Sequence, residues 1–281
     1  MLSHNIRERY ITPLKPIPTA MLKSGEILAG IECVLFDIYG TLFISGAGDI
    51  GLTGNQTKYI EKIDQLLHRF GINTDPQALI NGLRHAISRA HREQEQKGIA
   101  FPEVEIDHIW MSVLDSNDVE NIRAFAVEYE LIVNPVYPMP HLQDLLAACS
   151  RKKIRMGLIS NAQFYTLYMF KWFLAAEPEH IGFHPDLILL SYRFGYAKPS
   201  LDLFQIAAER LQKMNVPGQA VLFVGNDMLN DIYPAKQTGF KTALFAGDKR
   251  SLRLRQDDPR CRNLSADLVV TDLMQLFDYI P

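Results

Sequence analysis

The stretch VLFDIYGTLF, residues 34–43, continues an apolar run that begins at Cys33 and stops at Asp37, after which Ile-Tyr-Gly-Thr forms a tight polar corner. A strand buried on both faces that ends on a carboxylate needs compensation. An unpaired charge in a low-dielectric site costs several kcal/mol unless a cation or a hydrogen-bonding shell receives it.

Three later apolar runs also lead into polar chemistry. IRMGLIS (154–160) reaches Ser160 and Asn161, QAVLFVG (219–225) reaches Asn226 and Asp227, and DLILLS (186–191) precedes the loop that holds Lys198. KTALFA (241–246) and DLVV (267–270) continue the series. Short apolar runs separated by helical stretches read as βαβ units of a parallel sheet, whose ligands gather at the carboxyl ends of the strands. Neighbouring strands would therefore bring Asp37, Ser160, Lys198 and Asp227 together.

Between the first run and the rest, the periodicity changes. TKYIEKIDQLLHRF (57–70) and PQALINGLRHAISRAHREQEQ (76–96) place Ile63, Leu66, Leu67 and then Leu79, Leu83, Ala86 on single helical faces, and EIDHIWMSVL and VENIRAFAVEYELI continue the pattern. Residues 50–136 are expected to form an all-helical domain inserted into an α/β core made of residues 31–49 and 137–281. NPVYPMP (134–140), with three prolines, reads as a stiff connector. Residues 1–30 read as an extension over the surface, with no role legible in them.

Of the 281 residues, 47% are hydrophobic, enough for one large core or a core with a smaller domain. With 29 basic and 32 acidic residues, a net charge of −3 and no dense Lys/Arg run, nothing favours nucleic acid. A small-molecule partner is expected. Three scattered cysteines suit neither a disulfide framework nor a zinc site, and no apolar run approaches a membrane span or a signal sequence. A cytoplasmic protein is the expectation, with no membrane partner.

Singly, each polar group has an ordinary explanation. Asp37 can cap or turn, Ser160-Asn161 can begin a helix, Lys198 can be a solvated loop residue, and Asp227 and Asp231 can be caps or surface charges. Four such groups at four element ends are harder to explain separately. Gly40 and Thr41 offer a tight turn with N–H groups and a hydroxyl for an anion. Two carboxylates with a main-chain oxygen form the hard-oxygen set that suits Mg2+.

Together DIYGTL (37–42), LISNA (158–162), YAKPSLDLF (196–204) and VGNDMLNDI (224–232) resemble the four motifs of the haloacid dehalogenase (HAD) superfamily of hydrolases. The resemblance implies a Rossmann-like parallel-sheet core with a helical cap between the first and second motifs. It implies Asp37 as nucleophile, Ser160 and Lys198 as catalytic partners, Thr41, Gly40 and Asn161 on the substrate, and Mg2+ held by Asp37, Tyr39, Asp227 and Asp231. Which of Asn226 and Asp227 faces the ion stays open.

Tyr39 departs from the phosphatase pattern, because phosphatases of the superfamily carry a second aspartate there as general acid and base. A phenol with an unperturbed pKa of about 10 serves poorly in both roles. The resemblance therefore implies a Mg2+-dependent phosphatase of a small phosphorylated compound with weakened acid–base help. The alternatives are a metal-free 2-haloacid dehalogenase, whose branch carries tyrosine there and for which Arg69 and Arg84 are candidate substrate arginines, and a non-catalytic binding or regulatory protein.

Overall fold

The strand that ends at Asp37 sits inside the sheet, not at its edge. In the computed structural model, which describes residues 5–47 and 59–280, β2 (Cys33–Phe36) pairs in parallel with β5 (Arg155–Ser160) on one side and β7 (Val221–Gly225) on the other. Beyond these lie β6 (Phe183–Leu190), β8 (Lys241–Phe245) and β9 (Leu268–Val270), all parallel, while β1 (Ser24–Gly25) closes one edge antiparallel to β9. The order is β1-β9-β8-β7-β2-β5-β6. This is the expected α/β core.

Both faces of β2 are covered, which explains its unbroken apolar run. Val34 and Phe36 join the larger core cluster, whereas Cys33 and Leu35 face a second cluster that includes Leu203, Phe204 and Phe223. Phe204 comes from the helix Asp202–Lys213, and its ring lies 4.9 Å from that of Phe223. In register, Phe36 stands between Leu158 and Val224, so the chain positions just past them, Asp37, Ser160 and Asn226, meet at one rim.

After the first motif the chain forms β3 (Phe43–Ser45), which pairs with β4 (Val136–Pro138) in a separate two-stranded antiparallel ribbon. Helices α2 (Ile60–Arg69), α3 (Pro76–Glu95), α4 (Ile106–Val113) and α5 (Val119–Val133) lie between these two strands. The expected faces are buried: Ile63, Leu66 and Leu67 on α2, and Leu79, Leu83 and Ala86 on α3. Asp75 caps α3 by accepting the Ala78 N–H at 2.8 Å, with Pro76 at its first turn. Trp110 packs edge-on against Phe125 and Tyr129.

One expectation changes. The proline-rich NPVYPMP is partly a strand, because an edge ribbon tolerates residues without an N–H. Asn134 anchors it by accepting from the Ser45 hydroxyl at 2.8 Å and the Ala47 N–H at 3.2 Å. The expected junction at residues 49 and 50 lies outside the described residues.

The N-terminal segment is more than a surface covering. It begins as α1 (Asn5–Tyr10) against α5, where the Tyr10 hydroxyl donates to Glu128 at 2.6 Å and Arg69 bonds both. It then follows the core, with Thr19 donating to the Ala246 carbonyl and β1 pairing with β9. The segment thus joins the helical layer to one edge of the sheet. Among the described residues, no helix is long and apolar enough to cross a membrane.

Gly157 lies in β5, and a Cβ there would sit 2.6 Å from side-chain atoms of Leu35 and Leu187 and 2.8 Å from the Leu187 carbonyl. Gly157→Ala should therefore destabilise the fold by about 1–3 kcal/mol in urea denaturation. An unchanged midpoint would show that the sheet can widen there at no cost.

Candidate active site

Five segments distant in sequence place polar residues in one cavity at the carboxyl edge of the sheet. Asp37, Tyr39, Asn161, Lys198, Asn226, Asp227, Asp231 and Ser251 are among its lining residues. The shared register of β2, β5 and β7 brings Asp37, Asn161 and Asn226 to one rim, and the loops after β6 and β8 add Lys198 and Ser251.

The buried ammonium of Lys198 lies between two carboxylates, 2.7 Å from Asp37 Oδ1 and 2.5 Å from Asp231 Oδ1, and it also donates to the Ile159 carbonyl at 3.3 Å. Burial alone would lower the pKa of Lys198, but Asp231 and Asp37 outweigh it and hold the group above the ordinary lysine value. Burial raises the Asp231 carboxyl, with Lys198 acting against that rise and the Asp37 charge adding to it. Ser160 donates to the same Asp37 oxygen at 2.9 Å. Oδ2 of Asp37 has no hydrogen-bond partner among the described residues.

Asn161 clamps the lysine loop in both directions, accepting from the Lys198 N–H at 2.7 Å and donating to the Lys198 carbonyl at 3.2 Å. It lines the cavity, yet its amide is engaged with the chain. The turn after Asp37 also differs from the sequence reading. The Gly40 N–H donates to the Phe43 carbonyl at 2.6 Å and the Thr41 N–H to Ile38 at 3.4 Å, so both close the turn and neither is left for an anion. The Thr41 hydroxyl donates to Asn226 Oδ1 at 3.0 Å. Among the described residues, the N–H groups of Ile38 and Tyr39 have no partner. Gly40 is required here: φ is +83°, and a Cβ would meet Ser251 Cβ at 2.5 Å.

Asp227 and Asn226 have different surroundings. Asp227 caps the turn Met228–Ile232, accepting from the N–H groups of Leu229 and Asn230, and Arg255 donates to its carboxylate at 2.6 and 3.1 Å. Asn226 bonds Thr41 through its oxygen and the Ser251 carbonyl through its nitrogen, at 2.6 Å. The partners Ser251, Arg253 and Arg255 come from the connection after β8, where sequence reasoning found no site. Its signal was the alternation SLRLR (251–255), in which Leu252 and Leu254 pack beside Met228 and Ile232 while Arg253 lines the cavity and Arg255 reaches Asp227. Main-chain bonds from Arg253 to Asn226 and from Met228 to Arg253 dock this strip on the fourth motif.

A second, smaller cavity adjoins at Tyr39 and is lined by Val127, Glu130, Tyr165, Met169 and Trp172. The Tyr39 hydroxyl is bonded to Thr166 at 2.9 Å, and burial keeps its proton firmly on, well above the ordinary tyrosine value. Glu130 accepts from Tyr165 and Asn134, and burial raises its carboxyl. Arg69, one of the two candidate substrate arginines, pairs instead with Glu128. Neither it nor Arg84 lines a described cavity.

Asp37 and Lys198 meet at the rim of a parallel sheet, as expected from the motifs, whereas Asp231, expected on a metal ion, is bonded to Lys198 instead. The sequence profile of haloacid dehalogenase-like hydrolases matches residues 31–239, and the chain belongs to that family. It is therefore a hydrolase. The glyceraldehyde 3-phosphate phosphatase of Methanocaldococcus jannaschii is 23% identical over 257 residues, covering 89% of this chain and 97% of that protein. Among solved structures, a 2-haloacid dehalogenase from Pseudomonas syringae pv. Tomato DC3000 superposes with a TM-score of 0.56 at 19% identity, covering 89% of this chain and 97% of the other. A HAD phosphatase from Thermococcus onnurineus gives 0.53 at 16%, covering 88% and 96%. These two structures share the fold.

Lys198→Met would leave two buried carboxylates facing one another. The expected loss is about 3–5 kcal/mol by chemical denaturation, and a loss under 1 kcal/mol would show that the pair is solvated.

Proposed function

We propose that this protein is a phosphatase of small phosphorylated compounds that works through an aspartyl-phosphate, with Asp37 as nucleophile. The observation that carries the reading is the convergence of Ser160 and Lys198 on one oxygen of Asp37, which leaves the other without a partner. The phosphatase relative supports the choice of group transferred.

Lys198 and Ser160 engage one oxygen of Asp37 and fix its carboxylate plane, so the unpartnered oxygen attacks phosphorus as the bond to the leaving oxygen breaks. The amides of Ile38 and Tyr39 bind the oxygens on which charge develops. Water then attacks phosphorus, inorganic phosphate leaves, and Asp37 is restored. Tyr39 is a poor proton donor, since burial holds its phenol above the ordinary tyrosine value. The leaving group must depart as a stable anion or take its proton from elsewhere. The helices α2–α5 act as the cap, and the narrow cavity beside Tyr39 receives a small leaving group.

The donor set fits a weakly held Mg2+. Asp37, the main-chain oxygen of Tyr39 and the side-chain oxygen of Asn226 would hold it, whereas Asp227 is committed to Arg255 and Asp231 to Lys198. One carboxylate with neutral oxygens, water and substrate phosphate is a set this ion accepts. When bound, Mg2+ would offset charge on the phosphoryl oxygens.

A second reading, a 2-haloacid dehalogenase, is favoured by Tyr39 and by Asn226 in place of an acid. It is opposed by the engagement of Arg69 with Glu128.

Purified protein should release phosphate from p-nitrophenyl phosphate with Mg2+, and Asp37→Asn should abolish that release. Halide release from a 2-haloacid without metal, with no phosphate release, would establish the second reading instead. Asn226→Asp should lower the Mg2+ concentration for half-maximal activity about tenfold by adding charge to the donor set, and an unchanged value would exclude residue 226 as a ligand. Tyr39→Phe should keep kcat within about threefold; a drop of a hundredfold would assign the phenol a proton-transfer role.

A further inference from the structure

We infer that Ser251, from the connection between β8 and β9, is a ligand of the transferred phosphoryl group, which adds a contact that none of the four motifs contains. The inference rests on the phosphatase reading. Ser251 is 1% exposed, it lines the cavity that holds Asp37 and Lys198, and its hydroxyl has no hydrogen-bond partner among the described residues. A buried hydroxyl without a partner is costly, and such groups in native proteins call for an explanation.

The rest of the residue is fully engaged, which fixes where the hydroxyl sits. Its N–H donates to the Asp248 carbonyl at 3.1 Å and its carbonyl accepts from the Asn226 amide at 2.6 Å. Its Cβ presses against Gly40, where any larger residue would collide. Asp248 is buried and accepts from the N–H groups of Ile17 and Arg250, while the Lys249 N–H donates to the Ile17 carbonyl at 2.8 Å, so the N-terminal segment braces the loop from outside. A rigid loop that carries one unpaired donor in the wall of the cavity lined by Asp37 is preorganised for an anionic oxygen. Serine is the smallest residue that can pack on Gly40 and still donate.

Ser251→Ala removes one oxygen and keeps the packing. At saturating Mg2+, the dissociation constants of orthovanadate and inorganic phosphate, measured by thermal shift, should rise about tenfold. The KM for p-nitrophenyl phosphate should rise in parallel with a smaller change in kcat, and the free protein should melt at the wild-type temperature or above. Unchanged anion affinity would overturn the inference, and a lowered free melting temperature with it would mark a purely structural serine. Weakened binding of Mg2+ alone, with anion affinity intact, would place the hydroxyl in the hydration shell of the cation and likewise overturn it. A wild-type protein that neither binds orthovanadate nor hydrolyses the aryl phosphate would refute the phosphatase reading itself, and the inference would fall with it.

Discussion

The ammonium of Lys198 between Asp37 and Asp231 is the contact on which the rest of the structure depends. Three strands bring acids and hydroxyls to one buried rim, and without a cation there the sheet would end in mutual repulsion. Satisfying that requirement fixes much else. The lysine loop must lie close to β2, which Asn161 ensures by bonding the Lys198 main chain on both sides. Asp231 must stay in reach, which the capped turn after β7 ensures. The compensation that keeps the fold intact also leaves one oxygen of Asp37 without a hydrogen-bond partner among the described residues.

The fourth motif shows how charge is divided around this centre. Asp227 and Asp231 look equivalent in sequence, yet one serves as a helix cap paired with Arg255 and the other as a partner of Lys198. Asn226 stands where an acid would add charge beside Asp37, and Thr41 and Ser251 hold its amide in place. The site thus carries less negative charge toward a divalent ion than its run of aspartates suggests.

What was legible in the chain followed from local periodicity. Apolar runs ending in polar residues marked β2, β5 and β7, and the faces of α2 and α3 could be read from their 3.6-residue spacing. Convergence of Asp37, Ser160 and Lys198 followed from the logic of parallel sheets. The misread parts depend on pairing between distant segments. The N–H groups of Gly40 and Thr41 turn inward because Phe43 and Ile38 accept them, a detail of turn closure that composition does not encode. The Arg255 contact and the docking of Ser251 arise from a loop whose only signal was a short alternation of leucine and arginine. The anchoring of Tyr10 to Glu128 spans 118 positions and carried no local signature.

The ribbon of β3 and β4 has one more implication. Ser45 pairs with Val136, so the chain leaves the core and re-enters it through a single doorway. Whatever is built beyond that doorway can vary in length or shape while the sheet and Asp37 keep their register. The helical layer can therefore be remodelled as a separate module, with Asp37 and Lys198 left in place.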